Sequence, residues 1–141
     1  MKSLLLAGSF AVVLLASGAH AASLQYHAIL TGASEVPAVA TKGSGELFAT
    51  LDTATKQLRY TLSVTGLSGP AAAAHFHGPA AAGANAGVAV PITGDLANPV
   101  SATATLTDAQ IADLAAGKWY VNVHTAANKG GEIRGQVMKS R

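Results

Sequence analysis

Residues 47–64 read LFATLDTATKQLRYTLSV and contain two runs in which apolar and polar side chains alternate. The apolar positions are Leu47, Ala49 and Leu51 in the first run and Leu58, Tyr60, Leu62 and Val64 in the second. A period of two is typical of a β-strand that buries one face. Residues 52–56 between the runs, DTATK, are mostly polar and predict a hairpin loop. This stretch therefore predicts two antiparallel neighbours in a sheet.

The remainder of the chain continues the same pattern of short strands between clusters of Gly, Pro, Asn and Thr. Further strands are predicted at residues 24–30, 73–77, 87–92, 101–106, 118–125 and 132–138. About eight short strands at this spacing are typical of an antiparallel sandwich or barrel. In the strand from residue 118, Trp119, Val121 and Val123 share one face, which we predict to be the core face.

One short helix is predicted between the last strands. Thr107 followed by Gln110 forms the reciprocal capping box that begins a helix. Ile111 and Leu114 give the helix one apolar face, and Gly117 is placed to end it. These are packing residues, so the helix is predicted to be structural.

The first 21 residues have the features of a secretory signal peptide. Lys2 supplies the positive charge, residues 4–16 are apolar, and Ala19 and Ala21 match the small residues of a cleavage site. We expect cleavage after Ala21 and one mature domain over residues 22–141, exported to the periplasm or the cell exterior. No later apolar run approaches the roughly 18 residues that a membrane-spanning helix needs.

Composition and motifs exclude several functional classes. The 141 residues carry nine basic and seven acidic side chains, a net charge of +2 with no basic cluster, so no nucleic-acid partner is expected. Cysteine is absent, which excludes disulfides and a thiol nucleophile. The sequence has no nucleophile elbow, no phosphate-binding glycine loop and no close pair of acidic residues. These absences favour a binding module over an enzyme.

The segment Ala74-His-Phe-His-Gly78 contains the strongest candidate ligands for a metal ion in the sequence. On a strand, His75 and His77 share a face with Cα atoms about 6.5–7 Å apart, and their imidazoles can converge on one metal ion. His124, on another predicted strand, is a third candidate ligand, and Glu132 is a weaker one. Copper or zinc suits such a nitrogen-rich set.

A structural interpretation stands beside the metal site. Histidines two apart on a strand also occur simply as hydrogen-bonded or surface side chains, and His27 is predicted to be of this exposed kind. Two interpretations are open for Glu132 and Arg134, which lie two residues apart: a pair that orients the metal ligands, and a surface ion pair, which is the commoner arrangement and the one we predict.

Taken together, several motifs resemble the CHRD (chordin-type) domain of secreted bacterial proteins over residues 24–138. The matching pieces are LTGASEVP at 30–37, Gly45, LSVTGL at 62–67, AHFHG at 74–78, LT at 106–107, GKWYVNVHT at 117–125 and GEIRGQ at 131–136. Ala38 stands where the family usually has a second proline. The resemblance implies an immunoglobulin-like, Greek-key β-sandwich outside the cytoplasm, and it implies no established activity.

Cu/Zn superoxide dismutases are similar in having a Greek-key sandwich, an H-x-H strand and a later V-H strand. This chain lacks their cysteine pair and an obvious fourth histidine ligand. Likeness of fold does not carry function. Two hypotheses therefore stay open: a metal-binding module, and a metal-free structural or adhesion module that binds an unidentified protein. A dismutase-like metalloenzyme is a distant third.

Overall fold

A computed structural model describes residues 22–141, and the predicted signal peptide lies outside this range. The elements are β1 Ser23–Thr31, a 3-10 turn Gly32–Ser34, β2 Ser44–Asp52, β3 Gln57–Thr65, β4 Ala71–His77, β5 Val88–Ile92, β6 Val100–Thr105, α1 Asp108–Ala115, β7 Trp119–Thr125 and β8 Ile133–Lys139. The predicted eight strands and single helix are confirmed, and most ends agree within two residues.

The eight strands form one antiparallel sheet in the order β5-β4-β7-β8-β1-β2-β3-β6. The expectation of an immunoglobulin-like sandwich, with two separate sheets, is therefore wrong at that level of detail. The structure is a single sheet that curls into a nearly closed barrel. Alternating strand patterns fit both architectures, because each buries one face of every strand.

The connections explain why the sheet must curl. Strands β3 and β4 stand second from opposite ends of the sheet, yet only residues 66–70 join them. In a flat sheet they would lie about 24 Å apart, five spacings of about 4.8 Å. The connection reaches only about 20 Å even when it is fully extended. Curling brings the strands face to face, and the rings of Tyr60 and Phe76 meet edge-on at 5.1 Å.

The interior of the barrel contains the apolar face of every strand. Trp119, Val121 and Val123 are buried as predicted, and Trp119 is 1% exposed. The indole packs against the Phe76 ring at 5.7 Å and against the backbone of Gly78, where a Cβ atom would lie 2.4 Å from the Trp119 ring. The last residue of the AHFHG motif is thus a glycine because the indole occupies the space.

The helix has the predicted capping box. The Thr107 hydroxyl accepts a hydrogen bond from the Gln110 backbone N–H, and the Gln110 side chain accepts one from the Thr107 N–H. Leu114 is buried, and Gly117 ends the helix with a φ of 68°. Across residues 22–141, α1 included, no helix has the length and apolar character needed to cross a membrane.

Other segments of the protein cover the outer face of β4, β7 and β8 and shield it from solvent. Tyr120 and Asn122 are 3% exposed, although they alternate with the core residues of β7. The loop of residues 78–87 covers Tyr120, whose hydroxyl bonds both the N–H and the carbonyl of Ala86. The Asn122 amide donates to the Gly130 carbonyl in the turn before β8. This polar layer between sheet and loop holds the candidate site.

Candidate metal centre

His75 and His77 lie on the outer face of β4, as their spacing predicts, and Phe76 points into the core. Within the ladder, His75 stands opposite Asn122 of β7, and His124 stands opposite Ala73. His75 and His124 are therefore diagonal neighbours. Since Ala73 carries only a methyl group, the two imidazoles can meet above it.

The three imidazoles form one cluster. One ring nitrogen from each of His75, His77 and His124 lies within 4.8 Å of the other two. Three nitrogen ligands placed tetrahedrally at 2.0–2.1 Å from one zinc ion lie about 3.4 Å apart. Side-chain movements of about 1 Å would therefore bring the three ring nitrogens around one ion.

Two of the three imidazoles have a fixed tautomer. Nδ1 of His77 lies 3.0 Å from the Ala86 carbonyl, and Nδ1 of His124 lies 2.9 Å from the Lys129 carbonyl. A carbonyl oxygen only accepts hydrogen bonds, so each Nδ1 carries the proton and each Nε2 keeps its lone pair. Metal-binding histidines are oriented by this same kind of bond from the second ring nitrogen.

The remaining ring atoms complete the cluster. The Nε2 atom of His77 is buried and has no hydrogen-bond partner among residues 22–141. Nδ1 of His75 lies 3.1 Å from Nε2 of His124, a hydrogen bond that a metal ion would replace. Burial, together with the neighbouring His124 and His77, lowers the pKa of His75. His75 is therefore in its neutral, ligand-competent form at pH 7.

A stack of three side chains supports His77. The His77 and Tyr120 rings are parallel within 2°, with centroids 4.8 Å apart, and the Arg134 guanidinium lies 3.4 Å from the Tyr120 centroid. Arg134 is held by Asn85 Oδ1 at 2.9 Å and by the Ala84 carbonyl at 2.6 Å. Ring stacking and the hydrogen bond to Ala86 together restrict His77 to one orientation.

Glu132, the weaker predicted ligand, is not part of this cluster. Its buried carboxylate accepts hydrogen bonds from the Thr41 hydroxyl, the Ser68 N–H and hydroxyl, the Thr125 hydroxyl and the Asn128 amide. Burial raises the pKa of Glu132, but the bonds from Ser68, Thr41 and Thr125 outweigh it and lower the pKa to about 2. The side chain leaves the histidine face because residues 128–132 turn before regular pairing with β7 begins at Ile133.

Two other predictions concern charged and titratable residues outside the cluster. The expected surface ion pair of Glu132 and Arg134 is wrong: both are buried, at 0% and 1% exposure, with separate partners. His27 lies on β1, away from the cluster and partly exposed. Its Nε2 lies 2.8 Å from Glu46, and its ring packs on Phe48 at 4.7 Å.

The sequence reasoning missed Tyr120 as a support of the site, and it considered Arg134 only as a partner of Glu132. The only available signal was their placement within motifs that also contain His124 and Glu132. His77 and Tyr120 are 43 positions apart and Tyr120 and Arg134 are 14 positions apart, and their stacking follows from the pairing of β4, β7 and β8, which no local pattern reveals.

These observations define an all-β domain with a three-histidine cluster on its loop-covered face. The family model described as the CHRD domain matches residues 26–137. The chain therefore belongs to the CHRD domain family, in agreement with the resemblance of its motifs. Searches of curated proteins and of solved structures found no match.

Proposed function

We propose that this CHRD domain is an exported, non-catalytic binding module that holds one copper or zinc ion through His75, His77 and His124. The observation that carries the proposal is the cluster itself: three ring nitrogens within 4.8 Å, two of them with the proton fixed on the opposite nitrogen. Three histidines leave a tetrahedral ion one further position for water or another ligand.

Export is supported by the charged, apolar and small-residue sequence of residues 1–21. An exported domain without cysteine can offer imidazole but no thiolate, and imidazole binds both copper and zinc. We expect Cu²⁺ to bind more tightly than Zn²⁺, following the general order for divalent ions at nitrogen sites.

Calorimetric titration of the mature domain with Cu²⁺ and Zn²⁺ tests the proposal. One ion should bind per chain, and His77→Ala should lose most of the affinity. His27→Ala is the matched control, because His27 lies on the same sheet outside the cluster, and its loss should change little. Binding should weaken as the pH falls below about 6.5, since protons compete for the imidazoles.

A metal-free structural role is supported by the hydrogen bond between His75 and His124. If that role is the right one, His77→Ala would destabilise the fold by about 1–3 kcal/mol, because it removes the hydrogen bond to Ala86 and the ring stacked on Tyr120. Equal, weak Cu²⁺ binding by the wild type and both variants would then refute the metal site. His124→Gln provides a second variant if His77→Ala does not fold.

Elemental analysis of the protein purified from its own compartment complements the titration. A stoichiometric transition metal supports the proposal. Superoxide dismutation by the copper-loaded domain, the third hypothesis, is testable on the same material, and we expect none.

A further inference from the structure

Strand β6, Val100–Thr105, forms one edge of the curled sheet. It pairs with β3, which is the only strand or helix of residues 22–141 in extended contact with it. The strand reads VSATAT and contains neither a proline nor a charged residue. Natural sheets usually protect an edge with proline, charge or a covering segment, because its free backbone groups can pair with another strand. Strand β6 has none of these protections.

The hydrogen bonds to β3 identify the backbone groups that face the free edge. The Leu106 N–H donates to the Lys56 carbonyl at 2.9 Å, and the register with β3 continues from this pair without a break along β6. Hydrogen-bonded and non-hydrogen-bonded pairs alternate along an antiparallel ladder, so Ala104 and Ala102 also bond β3. The residues between them direct their N–H and C=O groups away from β3: Ser101, Thr103 and Thr105.

These outward backbone groups are accessible and unpaired. Ser101, Thr103 and Thr105 are exposed, and their backbone groups have no hydrogen-bond partner among residues 22–141. Ala102 and Ala104, which face the interior, are only partly buried, so the edge is open on that side as well. A strand with free donors and acceptors along one side is a template for one further strand.

The other edge of the sheet, β5, is interrupted by a proline. Pro91 stands opposite His75 of β4 and has no N–H to donate. Proline is tolerated in a ladder where the missing N–H would face outwards, so β5 offers an incomplete edge. Contacts of β6 with β5 of a second copy would also extend into an open filament, whereas β6 pairing with β6 closes after two copies.

We propose that two copies of the mature domain pair antiparallel through β6, with Thr103 opposite Thr103 of the second copy. In this symmetric register Ser101 of each copy stands opposite Thr105 of the other. The outward groups of these residues then satisfy one another in about six hydrogen bonds. A register centred on Ala102 would instead place Thr105 opposite Pro99, which lacks an N–H. The paired side chains carry hydroxyl groups and no charge, so no like charges oppose the pairing.

The test is analytical ultracentrifugation of the mature domain with a chelator present, so that a shared metal ion cannot link two copies. The wild type should form a dimer with a Kd of about 0.1 mM or tighter. Thr103→Pro removes the central outward N–H and no hydrogen bond to β3, and it should weaken dimerisation at least about tenfold. Thr103→Val retains the N–H and is the matched control, which should dimerise as the wild type does.

Thr103→Lys serves as a second variant if Thr103→Pro does not fold. The exposed position accepts a lysine in the monomer, but in the dimer two ammonium groups would stand directly opposite each other, which destabilises a ladder. Dimerisation should again weaken at least about tenfold. Equal dimerisation of the wild type and the folded variants, or assemblies larger than a dimer, would overturn the proposal. A wild type that stays monomeric at about 1 mM, ten times the expected Kd, would also overturn it and leave β6 to a strand of another protein.

Discussion

The buried carboxylate of Glu132 is predicted to be one of the main stabilising groups of the fold. It accepts five hydrogen bonds from four residues and thereby ties two loops to the end of β7 and the turn that follows it. Glu132→Gln keeps the size of the side chain but replaces one acceptor oxygen by a donor. Hydroxyl donors can rotate away, whereas the Ser68 N–H and the Asn128 amide cannot do so freely.

The magnitude follows from these contacts. One fixed donor left without an acceptor costs about 1–3 kcal/mol. Hydrogen bonds to a neutral amide are about 1 kcal/mol weaker than those to a carboxylate. We therefore expect Glu132→Gln to lower the free energy of unfolding by about 3 kcal/mol. For a domain of this size, that loss lowers the Tm by about 10 °C.

Urea denaturation followed by the fluorescence of the single tryptophan, Trp119, measures this loss. Glu46→Gln is the control, since its carboxylate is partly exposed and its removal should change stability by no more than about 0.5 kcal/mol. A loss below about 1 kcal/mol for Glu132→Gln would refute the idea that this network holds the loops.

The pH dependence gives an independent check of the same network. The pKa of Glu132 is about 2 in the native state, against an ordinary value of 4.5. Between these values the unfolded chain binds the proton more readily, so acid favours unfolding. The stabilisation by Glu132 is complete above pH 4.5 and is lost as the pH falls towards 2. The stability gap between wild type and Glu132→Gln should close over this range, and a gap that stays constant would contradict the low pKa.

Three further predictions concern the core, the site and processing. Trp119→Ala should cost about 3–5 kcal/mol, the range for emptying a large buried aromatic site, in denaturation followed by circular dichroism; a loss under about 1 kcal/mol would contradict the packing against Phe76. Tyr120→Phe should reduce Cu²⁺ affinity about tenfold in calorimetry, because the lost hydroxyl no longer fixes the Ala86 carbonyl that orients His77, and unchanged affinity would remove Tyr120 from the site. The exported protein should begin at Ala22, and an intact mass that includes residues 1–21 would disprove signal cleavage.

The candidate site was predictable in part. The sequence was sufficient to place His75 and His77 together, because residues two positions apart on a β-strand lie on the same face. His124 lies 49 residues further along the chain, and its approach to His75 depends on β4 and β7 being neighbours, with Ala73 leaving room. Glu132 was predicted as a weaker ligand, but an irregular turn directs it to Ser68 and Thr125 instead.

The sequence by itself determined the local structure of this protein: eight strands, one capped helix, the core face of β7 and the shared face of His75 and His77. These follow from side-chain periodicity and capping, which act over a few residues. The tertiary structure alone decided that the strands form one curled sheet, that both faces of β7 are covered, and that His124 meets His75 and His77. Such features depend on which distant strands pair and how short connections constrain them, and alternating patterns are the same for a sandwich and a barrel.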